Sequence, residues 1–149
     1  MEGAAFSGVR LAQAPDRKQL AKMRASLWPD ASCEDHLKEP GGTLPAAIFV
    51  AHDQAGELIG FLEVGLRSHA DGCDAAQPVG FVEGWFVQEG SRTRGVGRAL
   101  MRAAEQWARS QGCIEMASDT LIDNPLGQLA HEALGFEVVD RCVHYRKNL

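Results

Sequence analysis

Glu83 stands inside an apolar run, Val79-Gly80-Phe81-Val82-Glu83-Gly84-Trp85-Phe86-Val87, and Asp119 follows a second one, Met116-Ala117-Ser118. A carboxylate among such neighbours is costly unless it is paired or opens into a cleft. Two carboxylates flanking one cleft can hold a cationic amine and take its proton, directly or through water. Each also has a plainer reading: Glu83 as a structural ion pair with an arginine, and Asp119 as a local Asx turn. Strict alternation puts Phe81, Glu83, Trp85 and Val87 on one face of a strand and Val82 and Phe86 on the other. Gly84 signals a bulge, which would re-aim Glu83 and free a backbone amide of Trp85 or Phe86 to stabilise an oxyanion. Asp74 and Asp140 are further acids for which surface charge is the default. Trp28, in a loop before Pro29, either covers the core or faces a ligand.

Between the two acids lies Arg92-Thr93-Arg94-Gly95-Val96-Gly97-Arg98. A strand precedes it, and Val96, Leu100, Ala103 and Trp107 follow at helical spacing as a core-facing stripe. Glycines at a helix mouth let backbone N–H groups approach a ligand, and the helix dipole favours an anion there, a diphosphate above all. No Lys-Ser or Lys-Thr follows a glycine, which excludes a P-loop, and the third glycine of a dinucleotide-binding turn is missing.

The elements that position these residues read in order. A strand spans Val9–Ala14. A helix opens at Pro15-Asp16 with Leu20, Met23, Arg24 and Leu27 on one face, and stops before Pro29. Ser32 caps a short helix. Ala46–His52 and Leu58–Arg67 form a hairpin around Asp53-Gln54-Ala55-Gly56. Residues 68–78 form a surface loop, and Val79–Val87 is the strand carrying Glu83. The long helix closes at Gly112. Cys113–Thr120 is a strand, and Asn124-Pro125 starts a helix with Leu126, Leu129, Ala130 and Ala133 as its buried stripe. Phe136–Asp140 and Cys142–Arg146 are two final strands. The alternation implies one α+β domain over residues 1–149, with a mixed central sheet flanked by helices.

Composition sets bounds. A chain of 149 residues, 45% hydrophobic, suits one well-packed domain. A net charge of −5 argues against nucleic acid and accords with a cationic substrate. No apolar run approaches the roughly 18 residues of a membrane span, and no signal peptide is evident. Cys33, Cys73, Cys113 and Cys142 show no metal-like spacing, so no metal is expected, and reduced thiols fit a cytoplasmic location.

Arg92-Thr93-Arg94-Gly95-Val96-Gly97 matches the Q/R-x-x-G-x-G/A signature of the GNAT acetyltransferase superfamily, and the order of elements resembles the GNAT fold over nearly the whole chain. Asn124 through Phe136 is similar to that family's last-helix segment, with Asn124, Gly135 and Phe136 matching and His131 standing where many members carry tyrosine. Leu27-Trp28-Pro29, Gly72-Cys73-Asp74, Glu83-Gly84 with Phe86-Val87, Met116 through Thr120, and Tyr145-Arg146-Lys147 resemble bacterial aminoglycoside 6′-N-acetyltransferases. The resemblance implies acetyl-CoA as cosubstrate, an aminoglycoside as acceptor and a homodimer. It implies coenzyme contacts at Trp85, Phe86, Val87, Arg92, Arg94, Gly95, Val96, Gly97, Arg98, Asn124 and His131. Trp28, Asp74, Glu83, Asp119 and Asp140 would bind the antibiotic, with Glu83 as base or water-positioner. Tyr145 and His131 compete to protonate the leaving thiolate, Tyr145 being preferred. Another amine as acceptor, or a non-catalytic acyl-CoA module, are the alternatives.

Overall fold

The computed structural model describes residues 5–31 and 44–149; the short helix expected after Ser32 lies outside them, as does Cys33. Five strands form one sheet in the order β1–β2–β3–β4–β5: Phe6–Leu11, Ala46–Asp53, Leu58–Arg67, Val79–Val87 and Met116–Ser118. The first three pairings are antiparallel and the last is parallel. A parallel neighbour needs a crossover, and α2, Val96–Ser110, supplies it between β4 and β5. Helix α1 spans Arg17–Leu27 and α3 spans Pro125–Ala133.

Period-2 alternation divides the sheet between two helices. Ala47 and Ala51 of β2, with Ile59, Leu62, Val64 and Val82, pack against Val96, Leu100, Met101 and Ala104 of α2. Ile48 and Val50 point the other way, with Leu58 and Phe61, onto Leu20 and Met23 of α1. Both faces of the central strands are therefore covered. The α2 stripe expected at Val96, Leu100, Ala103 and Trp107 is rotated slightly: Val96, Leu100, Met101, Ala104 and Ala108 are the buried set.

Several boundaries differ from the sequence reading. The first strand is Phe6–Leu11, because a 3-10 turn, Ala14–Asp16, takes Ala14 out of it. Asp16 anchors that turn, accepting two hydrogen bonds from Arg10 (2.6 and 2.9 Å) and one from the Gln13 amide (2.7 Å). The β2–β3 hairpin forms as expected, with the Asp53 carboxylate accepting from the Ala55 and Glu57 amides. Gly112 closes α2 in the left-handed region at φ 88°.

The strand expected over Cys113–Thr120 shrinks to three residues. So short an edge offers little ladder to extend, and residues 136–149 form no strand. The final pair Phe136–Asp140 and Cys142–Arg146 is thus absent within the chain. The expected buried stripe of α3 also lacks cover: Leu126 is 72% and Leu129 62% exposed.

Candidate active site at the opening between β4 and β5

The sheet opens where the chemistry was expected. Strand β5 pairs with β4 only through Gly80↔Met116, Phe81↔Ala117 and Val82↔Ser118. Beyond Val82, β4 continues to Val87 with its β3 edge paired and its other edge without a strand. A ladder shift, Glu63↔Gly84 followed by Val64↔Val82, leaves Glu83 as the extra residue of a bulge. Gly84 beside it makes room for Trp28: a Cβ there would meet Trp28 Cη2 at 2.5 Å.

The bulge breaks the expected alternation. Trp85 and Val87 pack with Val82 on the α2 face, whereas Phe86 packs with Trp28 on the α1 face. Glu83 is pushed out of that pattern and is exposed, so the predicted face shared by Phe81, Glu83, Trp85 and Val87 does not exist. Its carboxylate accepts a bidentate pair from Arg67, Nε at 3.0 Å and a terminal nitrogen at 2.8 Å. The ion-pair reading of Glu83 therefore describes the free chain. Asp119, one residue past β5, is exposed and has no side-chain partner among the described residues. Each acid directly follows a member of the last ladder pair, Val82↔Ser118: Glu83 within β4 and Asp119 just beyond β5.

Trp28 is half-buried and serves both readings. It closes α1, lies edge-on to Phe61 with ring centroids 6.0 Å apart, and sits over Gly84 beside Glu83. Arg24 on α1 pairs with Glu63 of β3 at 3.1 Å, beneath the same bulge.

The Arg92–Arg98 turn becomes the mouth of α2. Thr93 (φ 63°) and Gly95 (φ 82°) occupy the left-handed region, which turns the chain sharply into the helix. No side chain caps the N-terminus, so the first helical amides point outward unclaimed by a cap. Arg92, Arg94 and Arg98 are all exposed around it. Arg92 also ties the mouth to β4 by donating from Nε to the Val87 carbonyl (2.9 Å). Gly97 also makes room for a neighbouring ring. A Cβ there would stand 3.1 Å from the Trp85 ring, so its absence admits that ring. The indole Nε1–H of Trp85 is buried without a hydrogen-bond partner.

His131 on α3 completes the opening. Its Nδ1 lies 2.6 Å from the Gly127 carbonyl, which can only accept, so Nδ1 carries a proton. In the neutral ring Nε2 then accepts from the Ser118 hydroxyl, 2.7 Å away. The imidazole stands edge-on to Trp85 (5.2 Å) and Phe136 (5.3 Å). Asn124 caps α3, accepting from the Gly127 amide and donating to Thr120 Oγ1.

Three expected residues fall elsewhere. Asp74 is engaged in its own loop, its amide donating to Glu115 and its carboxylate accepting from Ala76. Asp140 accepts from the Arg141 amide in the C-terminal segment. Tyr145 is 92% exposed there and makes no hydrogen bond or ring contact among the described residues. Its preference over His131 for the proton role thus finds no support within the chain, because the final strands that would carry it do not form. Ser118 and Arg67 were missed as site residues. Both end apolar strands, and only the pairing of those strands brings them to the acids.

An uncapped helix mouth ringed by arginines suits a diphosphate. The bare edge of β4 suits an amide-bearing chain that pairs with it. Fold and site together define an acyl-CoA N-acyltransferase, and the chain belongs to the GNAT acetyltransferase family, whose model matches residues 14–136. Among curated proteins it is 41% identical over 147 residues to the aminoglycoside N(6′)-acetyltransferase type 1 of Klebsiella aerogenes, covering 95% of this chain and 96% of that protein. A type 1 enzyme of Stenotrophomonas maltophilia is 41% identical over 144 residues, with 95% and 93% covered. Among solved structures, AAC(6′)-Iy bound to a bisubstrate analogue of coenzyme A and acetylneamine superposes with a TM-score of 0.83 at 34% identity, covering 98% of this chain and 100% of that one.

Proposed function

We propose that this chain is an aminoglycoside 6′-N-acetyltransferase, moving the acetyl group of acetyl-CoA to a 6′-amine by direct attack, and so conferring resistance. The observation that carries the reading is the parting of β4 and β5 at Val82↔Ser118, with an acid directly following each of those two residues. Acetyl-CoA supplies an activated acetyl thioester. The residues assigned to hold it are Arg92, Arg94, Gly95, Val96, Gly97 and Arg98 at the helix mouth, and Trp85, Phe86 and Val87 along β4. Asn124 is already committed to capping and contributes by holding α3 in place.

Glu83 receives the amine's proton, directly or through water, while Asp119 and Trp28 hold the rest of the polycation. A backbone amide on the unpaired edge of β4 is the donor for the oxyanion. The proton for the leaving sulfur is assigned to Ser118 backed by His131 rather than to Tyr145. With the imidazole charged, Nε2–H donates to Ser118 Oγ, which frees the hydroxyl proton to point outward. No cysteine step is required: burial raises the Cys113 thiol above its usual range, and burial together with Glu115 raises that of Cys73. Both stay protonated at neutral pH and are poor nucleophiles.

The chain works as one catalytic domain and pairs with a second copy. The exposed Leu126, Leu129, Val138, Val139, Val143 and Tyr145 all lie between residues 126 and 145, apolar side chains that a second copy would cover. No described helix is long and apolar enough to cross a membrane. We place the enzyme in the cytoplasm, where acetyl-CoA and reduced thiols are found.

The test is thiol release from acetyl-CoA with tobramycin, and with paromomycin, which carries a 6′-hydroxyl in place of the amine. Release with tobramycin and only background with paromomycin is expected. Equal release with both, or none with either, rejects the reading.

A further inference from the structure

Arg67 occupies the carboxylate that the incoming amine needs. Its guanidinium reaches Glu83 through two hydrogen bonds of 3.0 and 2.8 Å, and its central carbon lies 3.5 Å from the centroid of the Phe81 ring. These two holds are independent. The first is a fork of donors on a carboxylate; the second is a cation stacked on an aromatic face. The pair is also open to water, the Arg67 and Glu83 side chains being 43% and 37% exposed. An exposed ion pair is weak and exchanges readily for another cation.

We infer that Arg67 is a displaceable latch on Glu83. It keeps the carboxylate oriented in the free enzyme and yields it to an ammonium group of the substrate. When that happens the guanidinium need not leave, because Phe81 still holds it, so a fixed positive charge remains beside the occupied acid. The entering molecule must therefore outcompete one cation and tolerate it afterwards. A polycation anchored elsewhere, at Asp119 for instance, meets that demand; a small monoamine has only the one contact to offer. Arg67 in this role lowers affinity for every amine that must reach Glu83.

The proposal rests on the amine-acetyltransferase reading, and its test separates the two. Tobramycin affinity is measured by titration calorimetry for wild type, Arg67→Met, Glu83→Gln and the double variant, with thiol release followed in parallel. Methionine keeps an apolar stem over Phe81, and Arg67→Lys provides a second, charge-retaining variant should the first not fold. The latch predicts that Arg67→Met binds tobramycin about two- to fivefold more tightly, the range an exposed pair can hold back. It predicts a lowered kcat from the loosened carboxylate, and no gain in affinity when Glu83 is already Gln. For Arg67→Lys it predicts a smaller gain of the same sign, again absent in the Glu83→Gln background. Unchanged or weaker binding in a folded variant, with wild type still releasing thiol, overturns the latch alone. A wild type that neither binds nor acetylates tobramycin takes down both readings.

Discussion

Ser118 shows how a single side chain acquires a role from its neighbours. Alone it is a serine at the end of a three-residue strand; beside His131, whose other nitrogen is fixed on the Gly127 carbonyl, it is the residue to which we assign the proton for the leaving sulfur. General acid assistance of this kind is worth roughly 10²–10⁴-fold. Ser118→Ala should therefore lower kcat by at least about tenfold with both Michaelis constants within about twofold, read from steady-state thiol release. A rise in the tobramycin Michaelis constant at unchanged kcat would make Ser118 a binding residue instead. The sequence could nominate His131 from its place in the last-helix motif. It could not choose between His131 and Tyr145, because that choice depends on which of them meets the sheet opening.

At the scale of elements, a strand carrying a glutamate and a glycine in an apolar run disclosed the bulge, and the turn chemistry of Arg92–Gly97 disclosed the helix mouth. The consequences of the bulge were less legible. Inserting one residue reverses the parity of everything after it, so Trp85 changes face relative to Glu83 and Gly97 is needed for indole packing. The entry to α1 is held electrostatically. The Arg10 hydrogen bonds lower the Asp16 carboxyl below its ordinary range, against the opposing effect of burial, with the Gln13 amide assisting. A carboxyl whose pKa is lower in the folded state stabilises the fold above its unfolded value of about 3.9, and that contribution is lost as pH falls through the folded value. Asp16→Asn should cost about 1–2 kcal/mol at pH 7 by urea unfolding, and the difference from wild type should shrink below about pH 4. A difference that stays constant down to pH 3 would mean the Arg10 pair contributes nothing through charge.

The whole molecule departs furthest from its sequence reading at the C-terminus. Periodicity in residues 136–146 signals strands and Leu126 and Leu129 signal a buried stripe, yet one chain provides neither a ladder nor a cover for them. A pattern of this sort specifies burial without saying in which copy it occurs. If a second copy supplies the cover, sedimentation at micromolar concentration should give a dimer for wild type and a monomer for a Leu129→Asp, Val143→Asp double variant. A monomeric wild type would leave that surface unexplained. The arginine-ringed mouth of α2 and the two acids, by contrast, all belong to the parallel β4–α2–β5 crossover of a single chain.

Convergence of the coenzyme and the amine on that opening is best tested with one molecule, coenzyme A tethered through its sulfur to the 6′-amine of neamine. Binding at least about 100-fold tighter than coenzyme A alone is predicted, since the second site is engaged without a second loss of free motion. Affinity no greater than that of coenzyme A would mean that the helix mouth and the pair Glu83 and Asp119 do not serve one reaction.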